Sequence, residues 1–148
     1  MSGKLFLDVP NACSPSDGIC TGGHPQPEHL RDAAQRGVRY VINLCPAAEN
    51  PGYDEAALVQ SLGMHYVNIP VAGPPDITEA KARQLAAALT EAGEAPVLVH
   101  CASGNRVGAL FALKAHYLDG ADIDQALAAG RAAGLKTLEP AVRARLMG

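Results

Sequence analysis

Val97-Leu-Val-His100-Cys101-Ala-Ser-Gly104-Asn-Arg106-Val-Gly-Ala-Leu-Phe111 is the stretch on which the reading of this chain turns. A short β-rich apolar run ends in a histidine and a cysteine. A small polar loop with a glycine follows, then an arginine and a long apolar helical pattern. This is the pattern of a buried strand, a tight loop and a helix N-terminus. Backbone N–H groups are unpaired at such a junction and favour negative charge. A cysteine facing that helix end and an arginine is expected to lie largely as thiolate, the nucleophilic form. Gly104 supplies the positive φ the turn needs and lets the backbone approach a bound group. The same Cys101 also fits a plain buried core cysteine.

Outward from that stretch, apolar runs alternate with helical patterns. Leu5–Val9 and Ile19–Thr21 read as short strands, separated by a Pro/Asn/Ser/Asp loop through Gly18. Pro27 suits a first helical turn, and Glu28–Arg36 reads as a helix stopped by Gly37. Strands are expected at Arg39–Leu44, Met64–Ile69 and Val97–His100. Helices are expected at Asp54–Leu62, Ile77–Ala92, Arg106–Leu118, Asp122–Gly130 and Leu138–Met147, with Asp122 and Thr137 as N-caps. A Pro/Gly/Asn-rich loop follows Cys45 to Gly52. Strands alternating with helices, the later strands continuously apolar, predict an α/β fold with a mostly parallel central sheet flanked by helices. Ligands in such folds bind outside the carboxyl ends of the strands, where Cys101 lies. Residues 1–148 are expected to form one catalytic domain.

Composition narrows the function classes. The chain has 148 residues, 48% of them hydrophobic and 18% charged, which fits a globular core and excludes a disordered chain. A net charge of −3 without a Lys/Arg cluster argues against nucleic acid or an anionic membrane as partner. Four cysteines (Cys13, Cys20, Cys45, Cys101) and five histidines show no metal-ligand spacing, so no metal is expected. No run reaches membrane-spanning length and no signal-type apolar segment opens the chain. A cytoplasmic protein is expected, or a periplasmic one if a signal peptide has been removed.

Three stretches together resemble one family. Thr21-Gly-Gly-His-Pro-Gln-Pro-Glu-His-Leu30, Tyr40-Val-Ile-Asn-Leu44 and Val97–Arg106, in this order and spacing, look like the phosphatase-like domain of beta-lactamase-hydrolase-like proteins (domain of unknown function 442). That family lies within the cysteine-dependent dual-specificity-phosphatase-like superfamily. The resemblance spans roughly Ile19 to Leu118 and implies that superfamily's fold, with Cys101 as nucleophile and Arg106 as anion binder. It also shows a departure. Phosphatases of this kind place five residues between cysteine and arginine and commonly a hydroxyl next, which helps the thiolate leave. Here four residues intervene and Val107 follows. The shorter loop resembles that of rhodaneses, the sulfurtransferases, and a smaller loop suits a single sulfur better than a phosphate.

The expected function is therefore sulfur transfer through a Cys101 persulfide. Sulfur would move from thiosulfate or a persulfide to a thiol such as glutathione, without metal or organic cofactor. The alternative is a protein-tyrosine or dual-specificity-type phosphatase, a hydrolase acting through a Cys101 phospho-enzyme. A third reading is an inactive anion-binding or redox-sensing module. Ala102, Ser103, Gly104 and Asn105 would cradle the bound group, with Ser103 and Asn105 as added side-chain donors. A surface arginine at a helix start opposes the macrodipole, which favours an anion-binding Arg106. Asp76 fits a general acid, and Asp76-Ile-Thr-Glu79 equally has the form of a helix capping box. His100 is expected to support the loop. Cys45 is a second thiol or a buried cysteine, and His24 borders the pocket. Cys13 and Cys20 read as loop or edge residues.

Overall fold

The central strand is buried along its whole length because apolar residues cover both of its faces. In the computed structural model, which describes residues 4–49 and 51–148, Val97–His100 lies in the middle of a five-stranded sheet. Met1, Ser2, Gly3 and Asn50, which belong to the expected domain and its loop after Cys45, lie outside the described residues. In chain order the strands are β1 (Cys13–Ser16), β2 (Ile19–Gly22), β3 (Tyr40–Asn43), β4 (His65–Asn68) and β5 (Val97–His100). Across the sheet the order is β1-β2-β5-β3-β4. All pairings are parallel except β1 with β2.

Strand alternation sorts the core into two layers. Val97 and Val99 of β5 and Ile42 of β3 face one cluster, packed by α3 (Glu79–Ala92), α4 (Asn105–Tyr117), α5 (Ile123–Ala132) and α6 (Glu139–Met147). Leu98 and Val41 face the other, packed by α1 (Pro27–Gln35) and α2 (Glu55–Ser61). The sheet is thus covered on both sides, giving the expected α/β architecture of a mostly parallel central sheet flanked by helices. No helix among the described residues is long and apolar enough to cross a membrane.

Several boundaries differ from the sequence reading. Leu5–Val9 is not a strand. Leu7 and Val9 are buried, but the Leu5 N–H donates to the Ser14 hydroxyl (3.0 Å) and not to a ladder. The edge strand is instead Cys13–Ser16, inside the stretch expected to be loop, where an edge position tolerates Pro15. Cys20 is fully buried on β2, not a loop or edge residue. The N-cap of α3 is Thr78, whose hydroxyl accepts from Lys81 N–H, so Asp76 does not cap that helix. Asp122 caps α5 as expected, but Thr137 does not cap α6, which begins after Leu138.

Helix α4 packs unusually close to the segment that ends α5. A Cβ on Gly108 would stand 2.1 Å from the Leu135 nitrogen and 2.7 Å from the Gly130 carbonyl oxygen, both backbone atoms that cannot swing away. Gly108→Ala should therefore lose about 3 kcal/mol or more in urea unfolding. Gly73→Ala, at an extended glycine with open space around it, should stay within about 0.5 kcal/mol of the parent.

Candidate active site

The catalytic-type loop is built where β5 runs out of partners. The Cys101 N–H donates to Gly22 O (3.1 Å), the last bond of the β2–β5 ladder, and Leu44 N–H donates to His100 O (2.8 Å) from the other side. The chain then turns through Gly104 at φ 94° into α4. That turn brings the Gly104 N–H to 3.0 Å from the Cys101 sulfur, which is fully buried. A charged acceptor is favoured at such a helix start.

The Thr21-Gly-Gly-His24 stretch forms the other wall. Gly23 bridges Ser103, His24 N–H donates to Ala102 O (3.2 Å), and Asn11 Nδ2 donates to Ser103 O (3.0 Å). The contact is so close that a Cβ on Gly23 would sit 2.6 Å from Ala102 O. Asn105 departs from its expected role. Its amide turns away from the loop, donating to the Thr137 hydroxyl and accepting from Lys136 N–H (2.8 Å) and Leu138 N–H (3.3 Å). It anchors the chain before α6 with its oxygen and one of its amide hydrogens.

Arg106 lies in the first turn of α4 and is already engaged. Its two terminal nitrogens fork onto the Glu49 carboxylate (2.9 and 2.8 Å), one also reaches Val71 O (2.7 Å), and the other lies 3.8 Å from the Cys45 sulfur. The fork holds the Glu49 carboxyl below the usual carboxylate range and raises the guanidinium above its own. Cys45 follows β3, beside the strand that carries Cys101. Burial pushes its thiol up to about 12, a shift that Glu49 reinforces and Arg106 opposes. It therefore stays protonated at neutral pH, 3.5 Å from His24 Nε2. His24 is shifted down, first by burial and then by the neighbouring His100. Its Nδ1 is buried without a hydrogen-bond partner.

Asp76 ends a single turn of 3-10 helix (Pro74–Asp76), and its carboxylate accepts from Ala72 N–H at 2.9 Å. No hydrogen bond links it to Cys101, but its loop is tied to the site, since Val71 is the residue whose carbonyl Arg106 holds. The sequence reading missed Glu49 and Glu55. Glu49 is the acidic residue of the Pro/Gly/Asn-rich loop and gives no local signal. Glu55 looks like an ordinary acidic first-turn residue of α2. It is nevertheless buried, with its Oε2 2.5 Å from His100 Nε2. Cys45, Glu49, Tyr53, Glu55, Tyr66 and Asn68 also line an adjoining cavity of about 580 Å³. Donors of His24, Glu55 and His100 lie within 4.8 Å of one another, the set among the described residues that could gather on a metal. The 2.5 Å contact is a hydrogen bond, shorter than the roughly 3 Å between two ligands on one ion.

A cysteine at the end of a central parallel strand, a glycine turn and an arginine on the next helix define a phosphatase-like domain of the cysteine-dependent class. Residues 19–118 match the family described as beta-lactamase hydrolase-like protein, phosphatase-like domain, and the chain belongs to that family. A beta-lactamase hydrolase-like protein of Xylella fastidiosa (strain Temecula1 / ATCC 700964) is 40% identical over 104 residues, 66% of this chain but 23% of that relative's length. A DUF442 protein from Shewanella putrefaciens CN-32 superposes with a TM-score of 0.72 at 22% identity, covering 94% of this chain and 92% of its own. TpbA of P. aeruginosa, solved in complex with phosphotyrosine, gives a TM-score of 0.66 at 19% identity, covering 99% and 88%. Membership of a phosphatase-like family fits the phosphatase alternative better than the expected sulfur transfer.

The Arg106–Glu49 pair carries a pH signature. The Glu49 carboxyl is depressed in the folded chain, so its contribution is present above its ordinary value near 4.5 and lost as pH falls below it. In urea unfolding across acid pH, the parent should therefore lose its advantage over Glu49→Gln on descent through that range. A stability difference that stays constant with pH would contradict the pairing.

Proposed function

We propose that this chain is a cysteine-dependent phosphatase acting on phosphomonoesters, with aryl phosphates such as phosphotyrosine as the first substrates to try. The observation that carries the reading is the Gly104 N–H held 3.0 Å from the Cys101 sulfur, with Arg106 on the same helix start. Membership of a phosphatase-like family and the phosphotyrosine complex of a neighbour with this fold support it.

In this reading the Cys101 thiolate attacks phosphorus; a sulfur–phosphorus bond forms as the bond to the leaving oxygen breaks. Asp76 gives its proton to that oxygen. Arg106 forks onto two non-bridging oxygens, and the backbone N–H groups of Ala102, Ser103 and Asn105 cradle the phosphoryl group while the Gly104 N–H stays on the sulfur. Water then attacks the phosphocysteine, passes a proton to Asp76, and releases phosphate and the thiolate. His100 supports the loop, and Cys45 stays a bystander thiol. No metal or organic cofactor takes part. Residues 1–148 form the catalytic domain, and a free thiol at half-buried Cys13 suits the reducing cytoplasm.

Val107 is fully buried and carries no hydroxyl, so departure of the thiolate has no side-chain help there. Hydrolysis of the phosphocysteine should then limit turnover, giving a burst of p-nitrophenol from p-nitrophenyl phosphate followed by a slow steady rate. Cys101→Ser should abolish both phases. Arg106→Lys should cost ~100-fold or more in kcat/KM, and Asp76→Asn about 100-fold in the burst rate. A parallel incubation with thiosulfate or glutathione persulfide decides the competing chemistry. A mass gain of one sulfur that needs Cys101, with no phosphate release from either substrate, would overturn the proposal in favour of sulfur transfer.

A further inference from the structure

The buried pair behind the cysteine is the feature the phosphatase reading leaves unused. Glu55 is 5% exposed and His100 is fully buried, so an ionisable pair has been taken out of water, which is expensive unless every polar atom is satisfied. It is satisfied. Glu55 Oε1 accepts from Asn43 Nδ2 (3.4 Å), which also donates to the Tyr66 hydroxyl (3.0 Å). Asn43 Oδ1 accepts from Cys45 N–H (2.8 Å). His100 Nε2 meets Glu55 Oε2 at 2.5 Å, and its Nδ1 lies 3.3 Å from the carbonyl oxygen of Cys101.

We infer that Glu55 is a positioning residue for the nucleophile: through His100 it fixes the Cys101 carbonyl and, with it, the turn that aims the Gly104 N–H at the sulfur. A carbonyl oxygen only accepts, so Nδ1 carries a hydrogen. Nε2 and the carboxylate share a second one. One hydrogen thus lies between the ring and the Cys101 carbonyl and one between the ring and the Glu55 carboxylate. The bond to the carbonyl fixes where the loop begins. The other titratable rings beside the pair are His24, with its centroid 5.5 Å from that of His100, and Tyr53 and Tyr66, which border Glu55. The inference rests on Cys101 as nucleophile and not on phosphate as the group it takes.

The test therefore avoids turnover. Iodoacetamide labelling at neutral pH is followed on the peptide that holds Cys101, in the parent, Glu55→Gln, His100→Gln and the double variant. A Gln at 55 keeps the size and can still hydrogen-bond to His100 but removes the charge. Glu55→Gln should slow Cys101 labelling about tenfold, and should add nothing once His100 is Gln. An unchanged rate, or an equal slowing in both backgrounds, overturns the inference. Nitrogen NMR of the parent provides the second readout and needs no variant. Nδ1 of His100 should carry the hydrogen that bonds the Cys101 carbonyl, and a bare Nδ1 overturns the inference even if Glu55→Gln fails to fold. Failure of the phosphatase assay alone would leave both results standing.

Discussion

The site depends on backbone meeting backbone. Gly104 lies between Gly22 on one side and Gly134 on the other. Its would-be Cβ is 3.5 Å from the Gly22 carbonyl carbon, and a Cβ on Gly134 would be 2.8 Å from Gly104 O. Gly23 meets Ala102 in the same way. Side chains at Gly23 and Gly134 would push the walls apart, whereas at Gly104 it is the φ of 94° that calls for glycine; either change would cost the register that delivers an N–H to the sulfur. The β2 turn, the loop after β5 and the end of α5 therefore behave as one stack, and the helices around it serve to hold it closed.

Charge is arranged around that stack in two opposed pairs. On the loop side, Arg106 is paired with Glu49 and tethered to Val71, so the guanidinium is held in place. Under the phosphoryl-transfer reading, an arriving anion competes with a partly exposed carboxylate and not with water alone. Behind the sulfur, His100 is buried at the end of β5 and Glu55 is buried at the start of α2. The front pair is accessible and exchangeable, whereas the rear pair is fixed. An anion site that must bind and release benefits from that division, since preorganisation is kept by groups the ligand never touches.

How much of this was legible in the sequence follows from how local each signal is. The loop around Cys101 and the alternation of strands and helices could be read because strand, glycine turn and helix start adjoin within one short stretch. Glu49 and Glu55 could not, because they reach the site from 57 and 45 residues away, and nothing in their neighbourhood marks their partners. Leu5–Val9 misled for a different reason. Its alternation records burial of Leu7 and Val9, and burial on one side does not require a ladder. Asn105 has the composition of a loop donor, yet its amide is consumed by the segment before α6, a contact set by how α4 and α6 pack.

The short loop and Val107 mark the point where this chain parts from the phosphatase pattern. Val107 sits in the larger core cluster, where a hydroxyl would need a partner that the surrounding aliphatic side chains do not provide. Under the phosphoryl-transfer reading, the sulfur that leaves phosphorus is then met by the Gly104 N–H alone on the loop side. Behind the nucleophile, the Cys101 carbonyl, His100 on β5 and Glu55 on α2 stand in series, so the polar atoms nearest the loop's start belong to the sheet and α2 and not to α4.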